Sequence, residues 1–351
     1  MITGLALTTC FLLSLFLTPL VKKLAFRIGA TDQPNSRKVH KGAMARLGGL
    51  SIYVSFLVGL LILQPENSYL PYILAAGTIV FMTGFLDDLI ELSAKWKLLG
   101  QIAAAVIVIM GGVQIEFINL PFDGRLHLGL LSIPLTLIWI IGITNAINLI
   151  DGLDGLASGV SSIVLATVSV LSIIQGDIFI VALGIALLGG TLGFLVHNFN
   201  PAKIFMGDSG ALFLGFMIGV ISLLGFKNVT IFSLVVPVII LAVPISDTFF
   251  AIIRRVVNKQ PLSAPDKSHL HHCLLRLGYS HKQTVLIIYA LSLFFGLSAV
   301  VFTISTLWVS LVIMMILLIG IELMAEQVGL VHQSYRPMKR LMNKFNSPKR
   351  P

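Results

Sequence analysis

Five short polar segments interrupt a chain that is otherwise almost wholly apolar, and their residue types suit a divalent cation and phosphate. Asn145, Asn148, Asp151 and Asp154 recur every three residues in NAINLIDGLDGLASG, so on a continuous helix they would share one face. Gly152 and Gly155 open that face and predict a helix that breaks there, while the plainer alternative is a loop turn with Asx caps. Asp87 and Asp88 directly follow the apolar run FMTGFL. Adjacent carboxylates at such an edge repel one another and lose hydration, a cost that a cation or a metal removes. Asp208 lies between glycines in Asn200-Pro-Ala-Lys203-Ile-Phe205-Met-Gly-Asp208-Ser-Gly210, either as a ligand or as part of a helix N-cap.

Two further segments carry cations and imidazoles. Arg37, Lys38, His40 and Lys41 precede Arg46-Leu-Gly-Gly, where cations beside glycines at a helix entrance suit a phosphate. Asp266, Lys267, His269, His271 and His272 form the other segment. Zinc is disfavoured, since Cys10 and Cys273 lie far apart with no CxxC spacing and the remaining candidates are carboxylates and amides. Hard oxygen donors favour magnesium that keeps water and phosphate, so the histidines and Lys267 are read as donors to a diphosphate or as proton-transfer groups. Asp247 is an acid within an apolar run, with Arg254 as its expected partner. Acids for a divalent cation, cations for phosphate and apolar surroundings together fit phosphoryl transfer to a lipid.

The elements that must position these groups are membrane helices. Of 351 residues, 56% are hydrophobic and 11% charged, with mean hydropathy +0.97, which excludes an ordinary soluble domain. Apolar runs predict eleven spans at about 2–21, 48–63, 69–86, 98–113, 131–150, 156–174, 178–196, 211–225, 230–251, 284–303 and 306–324. Lys22 and Lys23 follow the first run and no basic region precedes it, so it is expected to be retained with the N-terminus outside. That orientation places 22 of the 24 Lys and Arg residues on the inside, leaving only Arg125 and Lys227 outside. Every polar segment then falls on the cytoplasmic side. The expected architecture is an all-α polytopic integral membrane protein with a single catalytic domain over 1–324 and a basic cytoplasmic tail over 325–351. A small hairpin is expected within Gln114 to Gly129. The pI near 9.7 reflects topology and attraction to anionic lipid headgroups rather than nucleic acid binding.

Asp87-Asp88, Asn148-Leu-Ile-Asp151-Gly-Leu-Asp154-Gly, Phe205-Met-Gly-Asp208-Ser-Gly and His269-Leu-His271-His272 together resemble the polyprenyl-phosphate N-acetylhexosamine-1-phosphate transferase family. The resemblance runs from roughly residue 5 to 330. It implies a bacterial plasma-membrane enzyme that converts UDP-N-acetylglucosamine and undecaprenyl phosphate to undecaprenyl-diphospho-N-acetylglucosamine and UMP. Mg2+ would be the cofactor, with Mn2+ as a substitute, and the product would start a cell-wall polymer such as teichoic acid. The resemblance further implies Asn148 and Asp208 as metal ligands, Asp88 close to the metal and Asp87 acting on the lipid phosphate. Asp151, Asp154 and Phe205 would line the uridine side, Lys41 and Arg46 would meet phosphate, and His269, His271 and His272 would contact diphosphate or sugar. Ala45 stands where the family pattern has proline. The expected partners are the two substrates and membrane lipids, and homodimerisation stays open.

Three rivals remain at this point. The family branch that transfers phospho-N-acetylmuramoyl-pentapeptide carries three consecutive histidines, where this chain has His269-Leu-His271-His272. A transporter of an anionic nucleotide-linked solute would spread ionisable groups along a path through the bilayer rather than gather them at one face. An enzyme using a CDP-alcohol would place several acids on adjacent turns of one motif.

Overall fold

In lipid, a segment of about 20 apolar residues satisfies its own backbone polar groups only as a helix. The computed structural model is accordingly mostly helical, and it describes residues 1–32, 43–119, 124–226, 235–261, 266 and 268–329. Thirteen α-helices follow one another among the described residues: α1 (Ile2–Ile28), α2 (Gly49–Leu63), α3 (Leu70–Ile90), α4 (Ala94–Met110), α5 (Ser132–Ile150), α6 (Leu156–Gln175), α7 (Ile178–Asn198), α8 (Gly207–Phe226), α9 (Val235–Ile240), α10 (Ala242–Val257), α11 (Leu270–Arg276), α12 (His281–Ile304) and α13 (Leu307–Val328). Eight of them, α1, α3, α5 to α8, α12 and α13, are long and apolar enough to cross a membrane. α2 is a shorter apolar helix of 15 residues, in keeping with the short second run of the sequence.

The departures from the expected spans have local causes. The ninth run, expected over 230–251, is divided at Leu241 into α9 and α10, and its first residues lie outside the described ones. Pro244 explains the break, because it has no N–H to bond the carbonyl of Ile240. α11, only seven residues long, is hidden from a periodicity argument inside a polar loop. Elsewhere the ends follow capping chemistry. Asp177 accepts the N–H of Ile180 at 3.0 Å to start α7, and Ser280 with Gln283 forms a capping box on α12.

α8 forms the centre of the bundle, with 89% of its apolar window buried, against 17% for α13 at the periphery. It packs against α2, α3, α5 and α6. One contact explains a glycine: a Cβ on Gly84 of α3 would lie 2.4 Å from the carbonyl oxygen of Asp208, so only glycine allows the two backbones to meet. Phe16 on α1, Leu297 on α12 and Ile316 on α13 are exposed, as lipid-facing positions would be.

Two small antiparallel sheets complete the fold. β1 (Thr31–Asp32) pairs with β2 (Met44–Ala45), Thr31 opposite Ala45, and the Ala45 carbonyl accepts the N–H of Phe205 at 2.8 Å. β3 (Phe117–Asn119) pairs with β4 (Arg125–His127), the hairpin expected between Gln114 and Gly129. The C-terminal ends of α3 and α5 meet the N-terminal ends of α4 and α8, and there the polar segments converge.

Candidate active site

Asp87 and Asp88 occupy the last turn of α3, and both are buried. Asp208 is in the first turn of α8 rather than ahead of it, since the helix begins at Gly207. The two elements are locked by Asp88, whose Oδ1 accepts the N–H of Asp208 at 2.9 Å and whose Oδ2 accepts the N–H of Ser209 at 3.0 Å. These donors are unpaired amides of a helix N-terminus, where a carboxylate is favoured by both hydrogen bonding and the helix dipole. Asp87, Asp88 and Asp208 each offer a carboxylate oxygen, all within 4.8 Å of one another. Asn148, near the end of α5, donates from Nδ2 to Asp208 Oδ1 at 3.3 Å.

Two cations offset this charge. Arg46 places Nη2 3.6 Å from Asp88 Oδ1 and Nη1 3.8 Å from Asp32 Oδ1. Lys97, in the first turn of α4, places Nζ 2.8 Å from Asp208 Oδ2 and 3.4 Å from Asp87 Oδ2. Lys97 escapes a sequence reading because a lysine before an apolar run is accounted for by membrane orientation alone. Three clustered hard oxygen donors suit a divalent cation such as Mg2+, and the ammonium bridging two of them marks where positive charge is wanted.

The stretch from Asn145 to Asp154 does not form one continuous helical face. α5 ends at Ile150, and a turn over residues 151–155 leads into α6. Asn145 is satisfied by Gln101 of α4, to which its Nδ2 donates at 2.7 Å, so it lies outside the acid cluster. Asp151 is half-buried in the turn, and burial with the Asp208 and Asp88 carboxylates nearby pushes it up to about 7. Asp154 Oδ2 accepts from Asn200 Nδ2 at 2.9 Å and from the Ala202 N–H at 3.0 Å, tying the turn to the segment before α8. Asn198 reinforces that tie by accepting from the Gly155 N–H and the Ser158 hydroxyl. Phe205 is anchored through its backbone, its N–H on Ala45 and its carbonyl accepting from Gly48.

His271 and His272 arrive on α11, and His269 is the residue just ahead of it. A Cβ on Gly152 would lie 2.5 Å from His271 Nε2, so the imidazole packs directly on the turn that carries Asp151. Burial, with His272 beside it, pushes His271 down to about 3, which makes it a neutral imidazole at pH 7. The rings of His271 and His272 are 4.2 Å apart between centroids. Asp247 does not pair with Arg254 as expected. Arg254 donates to Asp266 at 2.6 and 3.1 Å, while Asp247 binds His269. Lys41 and Lys267 lie outside the described residues.

The chain is similar to known proteins. Residues 70–226, from α3 through α8, match the model of glycosyl transferase family 4. A probable undecaprenyl-phosphate N-acetylglucosaminyl 1-phosphate transferase of Bacillus subtilis is 47% identical over 335 residues, covering 94% of this chain and 93% of that protein. The chain belongs to glycosyl transferase family 4. Within the family, a decaprenyl-phosphate N-acetylglucosaminephosphotransferase of Mycolicibacterium smegmatis is 34% identical, covering 80% of this chain and 77% of that protein. An undecaprenyl-phosphate alpha-N-acetylglucosaminyl 1-phosphate transferase of Salmonella typhi is 29% identical, covering 80% and 79%. All four motifs of this family 4 chain thus fall within or beside one cluster of helix ends.

Proposed function

We infer that this family 4 chain transfers N-acetylglucosamine-1-phosphate from UDP-N-acetylglucosamine to undecaprenyl phosphate, giving undecaprenyl-diphospho-N-acetylglucosamine and UMP. The observation that carries this reading is the gathering of Asp87, Asp88, Asp208, Arg46 and Lys97 at one end of an apolar helix bundle. Both substrates are anionic and one is a lipid, so the reaction needs cations, a divalent metal and access from the bilayer. We place the protein in a bacterial plasma membrane with this end in the cytoplasm, on the bias of Lys and Arg, and assign its product to the start of a cell-wall polymer such as teichoic acid.

Asp87, Asp88, Asp208 and the amide of Asn148 would hold Mg2+, with Mn2+ as a substitute. The ion, when bound, supplies charge neutralisation for the diphosphate and the departing UMP. Asp88 fixes the backbone of Asp208 and so sets where that carboxylate starts. In the reaction, an oxygen of the lipid phosphate attacks the sugar-bearing phosphorus of the donor. The bond from that phosphorus to the UMP oxygen breaks, and UMP keeps the electron pair. A phosphate monoester is already largely ionised at neutral pH, so Asp87 acts by orienting it. Lys97 and Arg46 take up charge that spreads over the phosphoryl oxygens in the transition state. The turn at 151–155, braced by Asn198 and Asn200, forms the nucleotide side, with the α11 histidines beside it at the diphosphate or sugar.

UMP release by purified protein, with undecaprenyl phosphate and Mg2+, tests this reading. Turnover of UDP-N-acetylglucosamine but not of UDP-N-acetylmuramyl-pentapeptide is expected. Turnover of the peptide-bearing donor alone would move the chain to the peptidoglycan branch, and transport of intact UDP-sugar into liposomes without UMP would replace the enzyme by a transporter.

A further inference from the structure

Asp247 lies on α10, and the family reading gives it no role. It is 1% exposed, and both of its oxygens are spent on the head of α11. Oδ1 accepts the N–H of Leu270 at 2.7 Å, and Oδ2 lies 2.9 Å from His269 Nδ1. As a carboxylate Asp247 only accepts, so the ring nitrogen that faces it, Nδ1, carries the imidazole proton. Nε2 is then the polar atom of His269 left free to accept. The ring is held as well as protonated on a chosen side: His269 is 4% exposed and stacks parallel to His271, 3° between planes and 5.9 Å between centroids. His271 in turn rests on Gly152, so the pair ties α10 through α11 to the turn that carries Asp151.

We propose that Asp247 is a positioning residue for the transfer reaction: it fixes the Nδ1–H tautomer and ring orientation of His269, leaving Nε2 as an acceptor for a hydroxyl or amide N–H of the donor's aminosugar. The proposal rests on the reading that the α11 histidines attend the donor. The arrangement follows the general pattern in which a buried carboxylate sets a histidine's tautomer while the second ring nitrogen serves the substrate. Arg254 turns its guanidinium Nε and Nη2 to Asp266 Oδ2 rather than to Asp247.

Asp247→Asn is the informative variant, since the amide oxygen still accepts the Leu270 N–H while its NH2 donates toward His269 Nδ1 and selects the opposite tautomer. Two measurements are made on the full chain in nanodiscs. The first is nitrogen NMR of histidine-labelled protein, with His269→Gln assigning the resonance: Nδ1–H is expected in the wild type and Nε2–H in Asp247→Asn. The second is UMP release, where Asp247→Asn is expected to lower kcat/KM for UDP-N-acetylglucosamine by about 10- to 100-fold, the range for removing an orienting partner. The double variant with His269→Gln is expected to be no worse than His269→Gln alone. An Nε2–H tautomer in the wild type, unchanged kcat/KM in Asp247→Asn, or losses that multiply in the double variant would each overturn the proposal. Absence of UMP release in the wild type would instead overturn the transferase reading, and the tautomer measurement would still decide whether Asp247 sets His269.

Discussion

Replacing Lys97 by methionine removes one charge and little volume, and the structure gives its consequence a size. The ammonium lies 2.8 Å from Asp208 and 3.4 Å from Asp87, with side-chain exposures of 27%, 17% and 7% for the lysine and the two acids. An exposed ion pair contributes about 0–1 kcal/mol, whereas taking one partner from a fully buried pair costs about 3–5 kcal/mol. Partial exposure places Lys97→Met between them, at about 2 kcal/mol of lost stability without metal. The same ammonium competes with a divalent cation for Asp87 and Asp208, so its removal should strengthen cation binding by a similar amount. At 1.4 kcal/mol per factor of ten, that is roughly 30-fold. The assay is thermal melting in detergent across a Mg2+ titration, with UMP release followed in parallel. The variant should melt below the wild type without Mg2+, reach its Mg2+ midpoint at a lower concentration, and release little UMP because the diphosphate has lost a cation. A Mg2+ midpoint that is unchanged or higher would refute the idea that Lys97 and the metal share the same carboxylates.

Three other perturbations test separate parts of the site. Asp208→Asn should abolish UMP release while lowering the melting temperature less than Lys97→Met does, since its N–H still binds Asp88 and Lys97 keeps Asp87; full turnover would remove this side chain from the metal site. Gly152→Ala puts a methyl group 2.5 Å from His271 Nε2 and should cut kcat/KM at least tenfold; an unchanged kcat/KM would show that the packing of His271 on this turn does not matter to turnover. Mg2+ binding, measured by calorimetry, should strengthen as pH rises through about 7 and level off above it. Asp151 is protonated below that value and adds a negative charge beside Asp208 and Asp88 above it; in Asp151→Asn the slope should flatten.

How far the sequence revealed this arrangement depended on whether a residue's environment is written locally. Apolar run length located the main helices because lipid leaves a long apolar segment no other backbone solution, and Pro244 marks the one division that run length missed. Asp87, Asp88, Asp208 and Asn148 stood out because an acid or amide in such surroundings is costly. The same argument misled at Asn145, where a threefold spacing matched the other polar residues but the partner is Gln101, brought alongside only by the packing of α4 on α5. Lys97 failed to stand out for the opposite reason, since a lysine just before an apolar run already had an adequate explanation. Asp247 was visible as an acid but not its partner, because Arg254 is nearer in sequence and His269 nearer in space.

The acid cluster has a kinetic corollary. Asp87, Asp88 and Asp208 face Lys97 and Arg46, and Asp32 shares Arg46, so the two cations offset about half of the charge on the four carboxylates. A bare triad of acids at a membrane surface would hold off an anionic headgroup until a metal arrived, imposing a strict order of addition. With that field halved from within, the proposed lipid phosphate and divalent cation would meet a lower barrier to loading in either sequence, and the enzyme would not have to wait in one half-filled state when one of them is scarce.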